Sequence, residues 1–264
     1  MGRQRHTHGR FDGRDLVTEG LFGPLVYSCT YGEAVKFGAL VPITVYWVEC
    51  PEPDIGLERF LRYKTRDGKY RQGVWRNHNR NAIIADILDK LPQDMQAMCI
   101  MQRLDQMNSI YPLCKPGVEF VHGNTSADEM AQHRNLRAIS AEERKSIYAR
   151  MAEKDIKRIL STYVYKQGVN FPHLECVINA GGGGSDIVAK QIPGRESRKT
   201  ADKTRSILID FVHRWDTTTN DKGKVIPGPI QSDDLSRERA YSQLGFEQVW
   251  IKDLNQIPEL QPGR

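Results

Sequence analysis

The sequence has no cysteine pair at C-x-x-C spacing, no apolar run near the ~18 residues that cross a bilayer, and no G-x-x-x-x-G-K-[ST] phosphate loop. Its five cysteines, Cys29, Cys50, Cys99, Cys114 and Cys176, are odd in number and widely scattered. Neither a disulfide framework nor a zinc site is signalled, and a reducing, cytoplasmic setting is expected. The leading residues MGRQRHTHGRFDGRD lack the apolar stretch of a signal peptide. His6 and His8 sit in that polar lead with no third ligand nearby, so they read as solvated tail. The Gly-Lys pairs Gly68-Lys69 and Gly223-Lys224 are followed by Tyr70 and Val225, which lack the magnesium-binding hydroxyl of a phosphate loop.

What is present is enough for a globular core: 264 residues, 39% of them hydrophobic. Lys and Arg total 38 against 33 Asp and Glu, a net charge of +5 that favours an anionic partner. Val, Ile, Tyr and Trp mark strands at Leu25–Tyr27 and Val41–Val48 around a helical or turn element at Gly32–Gly38. The charged stretch Leu57–Asn81 reads as an exposed connector. A helix is expected from Asn81, with Ile83, Ile84, Ile87, Leu88 and Leu91 on one face and Pro92 as its stop. Next come a strand at Ala97–Met101, a helix near Leu104–Cys114, a strand at Val118–His122 and a helix at Ala141–Asp155 opened by Ser140 and Glu143 as a capping box. Strands Arg158–Thr162, Glu175–Ala180 and Ser206–Val212 follow, then a loop through DTTTNDKGKVIPGP and a last helix from about Asp234 to Leu244 stopped by Gly245. Strands alternating with helices at this spacing predict an α/β fold, a parallel sheet flanked by helices.

The most specific string is Gln191-Ile192-Pro193-Gly194-Arg195-Glu196-Ser197-Arg198, after a strand and a glycine run. Two guanidiniums three residues apart, with a glycine permitting close backbone approach, can converge on a phosphate and neutralise charge that develops during its transfer. The glycine run Gly181–Gly184 reads as a tight strand-to-helix turn rather than a phosphate cradle, since no Lys-Ser/Thr follows it. Asp128-Glu129-Met130-Ala131 resembles a Walker B box, yet it follows polar HGNTSA instead of an apolar strand and is expected at the surface.

The string resembles Q-x-x-G-R-x-x-R, the sixth motif of superfamily 2 helicases, and further matches lie upstream in family order. STYVYKQGVNFPHLECVINAGGG, with its turn Gly168-Val169-Asn170-Phe171-Pro172, resembles motif V. GVEFVHGNT at Gly117–Thr125 resembles motif IVa, and Ala97–Gln102 stands where motif IV belongs. The resemblance implies a second RecA-like domain with a parallel sheet in residues 81–215, a β-containing remnant of the first domain's end and a linker in 1–80, and a C-terminal loop and helix in 216–264. It implies that Arg195 and Arg198 reach the γ-phosphate of ATP, Arg198 as the finger, with Gln191, Gly168, Asn170 and Gly194 binding the nucleotide. His122, Gly123, Asn124, Thr125 and Thr162 would contact nucleic acid, DNA more than RNA by similarity to phage and bacterial helicases.

This chain has Gln167 and Asn170 where relatives often carry Glu and Asp, so a ribose hydroxyl would be met by an amide rather than a carboxylate. The start of the sequence resembles the segment that follows motif III in relatives. The expectation is therefore the C-terminal half of an ATP-dependent helicase or translocase, with ATP and Mg2+ shared with a separate half that carries Walker A and B. The alternative is a non-catalytic nucleic-acid-binding module or a truncated remnant.

Overall fold

The computed structural model describes residues 29–165, 171–184, 199–200 and 203–261. Its strands are β1 (Ile43–Glu49), β2 (Gln96–Met101), β3 (Val118–Val121), β4 (Arg158–Thr162), β5 (Leu174–Asn179), β6 (Ser206–Val212), β7 (Thr217–Thr219), β8 (Val225–Pro227) and β9 (Glu247–Ile251). Its α-helices are α1 (Tyr31–Lys36), α2 (Leu57–Phe60), α3 (Arg66–Tyr70), α4 (His78–Lys90), α5 (Leu104–Ile110), α6 (Ala127–Met130), α7 (Ala141–Ala152) and α8 (Pro229–Leu244). Seven strands form one parallel sheet in the order β3-β4-β2-β5-β6-β1-β9.

Parallel strands joined by crossovers carry helices on both faces, so central strands are apolar throughout rather than alternating. All six residues of β2 are buried, as are five of the six in β5. The helix expected from Asn81 starts earlier, at His78, because the Asn77 side chain accepts the Arg80 amide and caps it. Its expected apolar face is the buried one, with Ile84, Ile87, Leu88 and Leu91 at 3% exposure or less. At α7 the Ser140 hydroxyl accepts the Glu143 amide at 3.0 Å, which is half of the expected capping box. The Glu143 carboxylate turns instead to Arg137. Gly245 ends α8 at φ 76°, the left-handed conformation that only glycine adopts without strain.

Three expectations need correction. The stretch Leu57–Asn81 is not an exposed connector: α2, α3 and a π-helical turn at Arg71–Trp75 bury Phe60, Tyr70, Val74 and Trp75 against Ile230 in a second, smaller core. Most of its charged residues lie on the outer face, Lys69 and Arg80 being buried, and they masked four apolar anchors too irregularly spaced to read as a helix. The loop after β6 contains an antiparallel hairpin, β7 paired with β8. The segment after Gly245 is a strand, β9, which joins the sheet beside β1. The expected strand at Leu25–Tyr27 lies outside the described residues.

A buried ionic network fastens β6 to α8. The Arg237 guanidinium donates to both carboxylate oxygens of Asp210, at 2.9 and 3.0 Å, and to Asp234 at 2.9 Å. Tyr241 and Asn179 also donate to Asp210. With both Asp210 oxygens accepting charge-assisted bonds from Arg237, a charge pair can be held at this depth.

Candidate nucleotide and nucleic-acid face

All seven strands run parallel, so their C-terminal ends open on one edge of the sheet, and the loops that leave them share that edge. Across β3, β4, β2 and β5 these are His122–Thr125, Thr162, Gln102 and Gly181–Gly184, in that order. Three strand spacings separate the first from the last, about 14 Å. The order in space differs from the order in sequence, because β4 lies between β3 and β2.

The expected nucleic-acid residues have different environments. His122 is 1% exposed, and its Nδ1 and Nε2 lie 2.8 Å and 2.9 Å from the carbonyl oxygens of Gly123 and Arg137. Its ring therefore shapes the loop and is not open to a ligand. Asn124 is exposed and its side-chain oxygen accepts from Arg144 at 2.6 Å, while the Thr125 hydroxyl donates to the Gly123 carbonyl at 3.2 Å. Gly123, Thr125 and Thr162 are half-buried at the edge. Gln191, Gly194, Arg195 and Arg198, like Gly168 and Asn170, lie outside the described residues. Asp128 and Glu129 fall in the short exposed helix α6, capped by Ser126, as the polar run before them indicated.

The glycine run packs as a tight turn. A Cβ at Gly184 would overlap the Asp233 carboxylate, and one at Gly181 would press on the Gln102 backbone at 3.2 Å. Gly182 and Gly183 have φ of 67° and 88°. The Gly183 carbonyl accepts from Arg237 at 2.7 Å, and its amide donates to the Tyr70 hydroxyl at 3.2 Å. An amide spent on a tyrosine, with a carboxylate alongside, does not suit a phosphate.

Beside this turn lies a cavity of about 470 Å³ bounded by Arg66, Tyr70, Trp75, Gln102, Gly182–Gly184 and Asp233. Arg66 and Tyr70, four residues apart on α3, both donate to Asp233 Oδ2. Burial and that bond raise the Tyr70 hydroxyl well above the usual tyrosine range, so it stays a neutral donor. Arg66 is held charged by its bond to Asp233. Sequence reasoning missed these residues; the available signals were the i, i+4 pair Arg66 and Tyr70 and the adjacent acids Asp233 and Asp234 ahead of Arg237.

Behind the cavity, His213 Nδ1 is 3.0 Å from Asp234 Oδ2. Burial opposes the imidazolium, but the Asp234 charge, with contributions from Cys50, outweighs it and raises the His213 pKa to about 9. Among the described residues, no three His, Cys, Asp or Glu side chains come together to hold a metal ion. No helix among them is long and apolar enough to cross a membrane.

A parallel sheet flanked by helices, with its loops gathered on one edge, defines the RecA-like class. Residues 79–200 match the family model described as "Helicase conserved C-terminal domain". Over those residues the chain is similar to the helicase conserved C-terminal domain. A protein of a Sulfolobus islandicus filamentous virus (isolate Iceland/Hveragerdi), named as a candidate helicase, is 26% identical over 222 residues, covering 78% of this chain and 36% of its own length. The crystal structure of T4 UvsW superimposes with TM-score 0.56 at 19% identity, covering 81% of this chain and 41% of UvsW. S. cerevisiae Dbp5 bound to RNA and ADP BeF3 gives TM-score 0.56 at 12% identity, covering 96% of this chain and 52% of Dbp5. These structural likenesses carry the fold alone. The chain spans about a third to a half of the length of these relatives.

Proposed function

We propose that the protein is the second motor domain of an ATP-dependent nucleic-acid helicase or translocase. The match of residues 79–200 to the helicase C-terminal domain carries this reading, with the shared loop edge in support. ATP and Mg2+ bind between this domain and a first half bearing Walker A and B motifs, which these 264 residues do not contain. The nucleotide supplies the free energy of γ-phosphate cleavage. Arg195 and Arg198 neutralise the charge that develops on the transferred phosphoryl group, which in such sites accelerates the step by about 10³–10⁵. Gln191, Gly194, Gly168 and Asn170 hold the nucleotide from this side. Gly123, Asn124, Thr125 and Thr162 meet the strand, with His122 setting the loop. DNA is favoured over RNA, from the resemblance of the lead-in and of the tail SRERAYSQLGFEQVWI to helicases of phage and bacterial DNA metabolism.

Closure of the two halves on ATP and their release after hydrolysis would move the pair along the strand. The test is steady-state ATP hydrolysis by the purified chain, by a Walker-bearing first half, and by the two together, each with single-stranded DNA and RNA. Strand-stimulated turnover only in the mixture is expected. Turnover by this chain alone overturns the proposal.

A further inference from the structure

Cys50 directly follows β1 at its C-terminal end, and none of the motifs uses it. Its backbone is fixed on both sides: the amide donates to the Val212 carbonyl at 2.9 Å and the carbonyl accepts from the Trp215 indole at 3.2 Å. Two cations lie near its side chain. His213 is bonded through Nδ1 to Asp234 and held charged, and the Cys50 side chain is near enough to help hold that charge. Its Nε2 has no hydrogen-bond partner among the described residues. Arg80, in the first turn of α4, is fully buried and lies 4.4 Å over the Phe211 ring, which serves its flat face. None of its three guanidinium nitrogens has a hydrogen-bond partner among the described residues. Burial pushes Arg80 below the ordinary arginine range, and Cys50 is the first of the groups that oppose this, ahead of Asp210 and Asp234. Arg237 already engages those two carboxylates.

Buried N–H groups without an acceptor are costly, and a thiol is a weak acceptor. A sulfur carrying an oxygen is a better one. We propose that Cys50 is a modification site, oxidised by hydrogen peroxide to a sulfenic acid whose oxygen is received by Arg80 and His213. The sulfur attacks one peroxide oxygen, and the S–O bond forms as the O–O bond breaks. The thiol proton leaves with the departing hydroxide as water; the sulfur gives up two electrons and the peroxide takes them. Two cations beside the sulfur stabilise the negative charge that gathers on it for the attack. Burial selects the reagent. Cys50 is 3% exposed, but Pro51 and Glu52 after it are exposed, so the sulfur lies just beneath the surface. A molecule little larger than water reaches it there, and a second thiol does not. Burial alone pushes the Cys99 and Cys114 thiols up, Cys114 to about 12, which leaves them inert.

The test exposes the full folded chain, and the same chain unfolded in guanidinium chloride, to hydrogen peroxide with dimedone present. Peroxide is removed with catalase and both samples are then fully unfolded, so that dimedone reaches every sulfenic acid. Peptide masses give the yield at each cysteine against time. Burial by itself slows a thiol in the folded state. Here Cys50 is expected to react about tenfold faster folded than unfolded, with Cys99 and Cys114 slower folded. Arg80→Met and His213→Gln should each bring the folded Cys50 rate to the unfolded one or below, with the rate at the exposed Cys29 unchanged. A wild-type Cys50 rate no greater folded than unfolded overturns the proposal without any variant. So does a Cys50 rate that stays at the wild-type value in folded Arg80→Met and His213→Gln.

Discussion

At the scale of the residue, Arg237 is a buried junction between three parts of the fold. It is 1% exposed, bonds Asp210, Asp234 and the Gly183 carbonyl, and so ties the sheet, the last long helix and the glycine turn together. Replacing it with alanine strands two buried carboxylates and is expected to cost about 3–5 kcal/mol, read by urea denaturation. A loss under about 1 kcal/mol would mean that those carboxylates find water or protons cheaply. His213 gives a pH signature. Its pKa is raised from 6.5 to about 9 in the folded protein, so its stabilising contribution is full below the unfolded pKa and fades as pH rises through about 9. Thermal midpoints should fall across that window, and Asp234→Asn should flatten the fall.

None of this network was legible in the sequence. Asp210, Asp234 and Arg237 look like ordinary surface charges until β6 and α8 are brought together. QIPGRESR stands out in the sequence because one short string carries it, and it lies outside the described residues. The cavity was not, since Arg66, Gln102, Gly182 and Asp233 come from four distant parts of the chain.

At the scale of the element, strands with strong apolar runs read correctly: β4 and β6 start and stop where composition places them. Weak strands did not. In β9, EQVWI, only Ile251 is buried, and its place in the sheet depends on pairing with β1 some two hundred residues away. The helical segment around Phe60 failed for the opposite reason, since charge on its outer face concealed a buried inner one. Phe60 is fully buried and meets Trp215 edge-on at 4.9 Å. Phe60→Ala should therefore cost about 3–5 kcal/mol in equilibrium denaturation, where an exposed connector would show almost no change. The same change should also loosen α3, and with it Arg66 and Tyr70 at the cavity.

At the scale of the whole molecule, the sheet unites three stretches of chain. β1 lies between β6 and β9, so the strand nearest the start of the described chain sits inside the sheet and the one nearest its end forms the edge. The segment 81–215 alone would lose both, exposing the side of β6 that pairs with β1 over seven residues. It should lack the single cooperative unfolding transition expected of the full chain, and a full-strength transition from that segment would show that β1 and β9 are accessory. The central claim concerns the motor rather than the fold. Its most direct test is steady-state ATP hydrolysis by this chain mixed with a Walker-bearing first half on single-stranded DNA, comparing wild type with Arg198→Ala. The account predicts that turnover falls by about 10³ or more in the variant while DNA affinity stays within about twofold. Turnover retained by Arg198→Ala would contradict it.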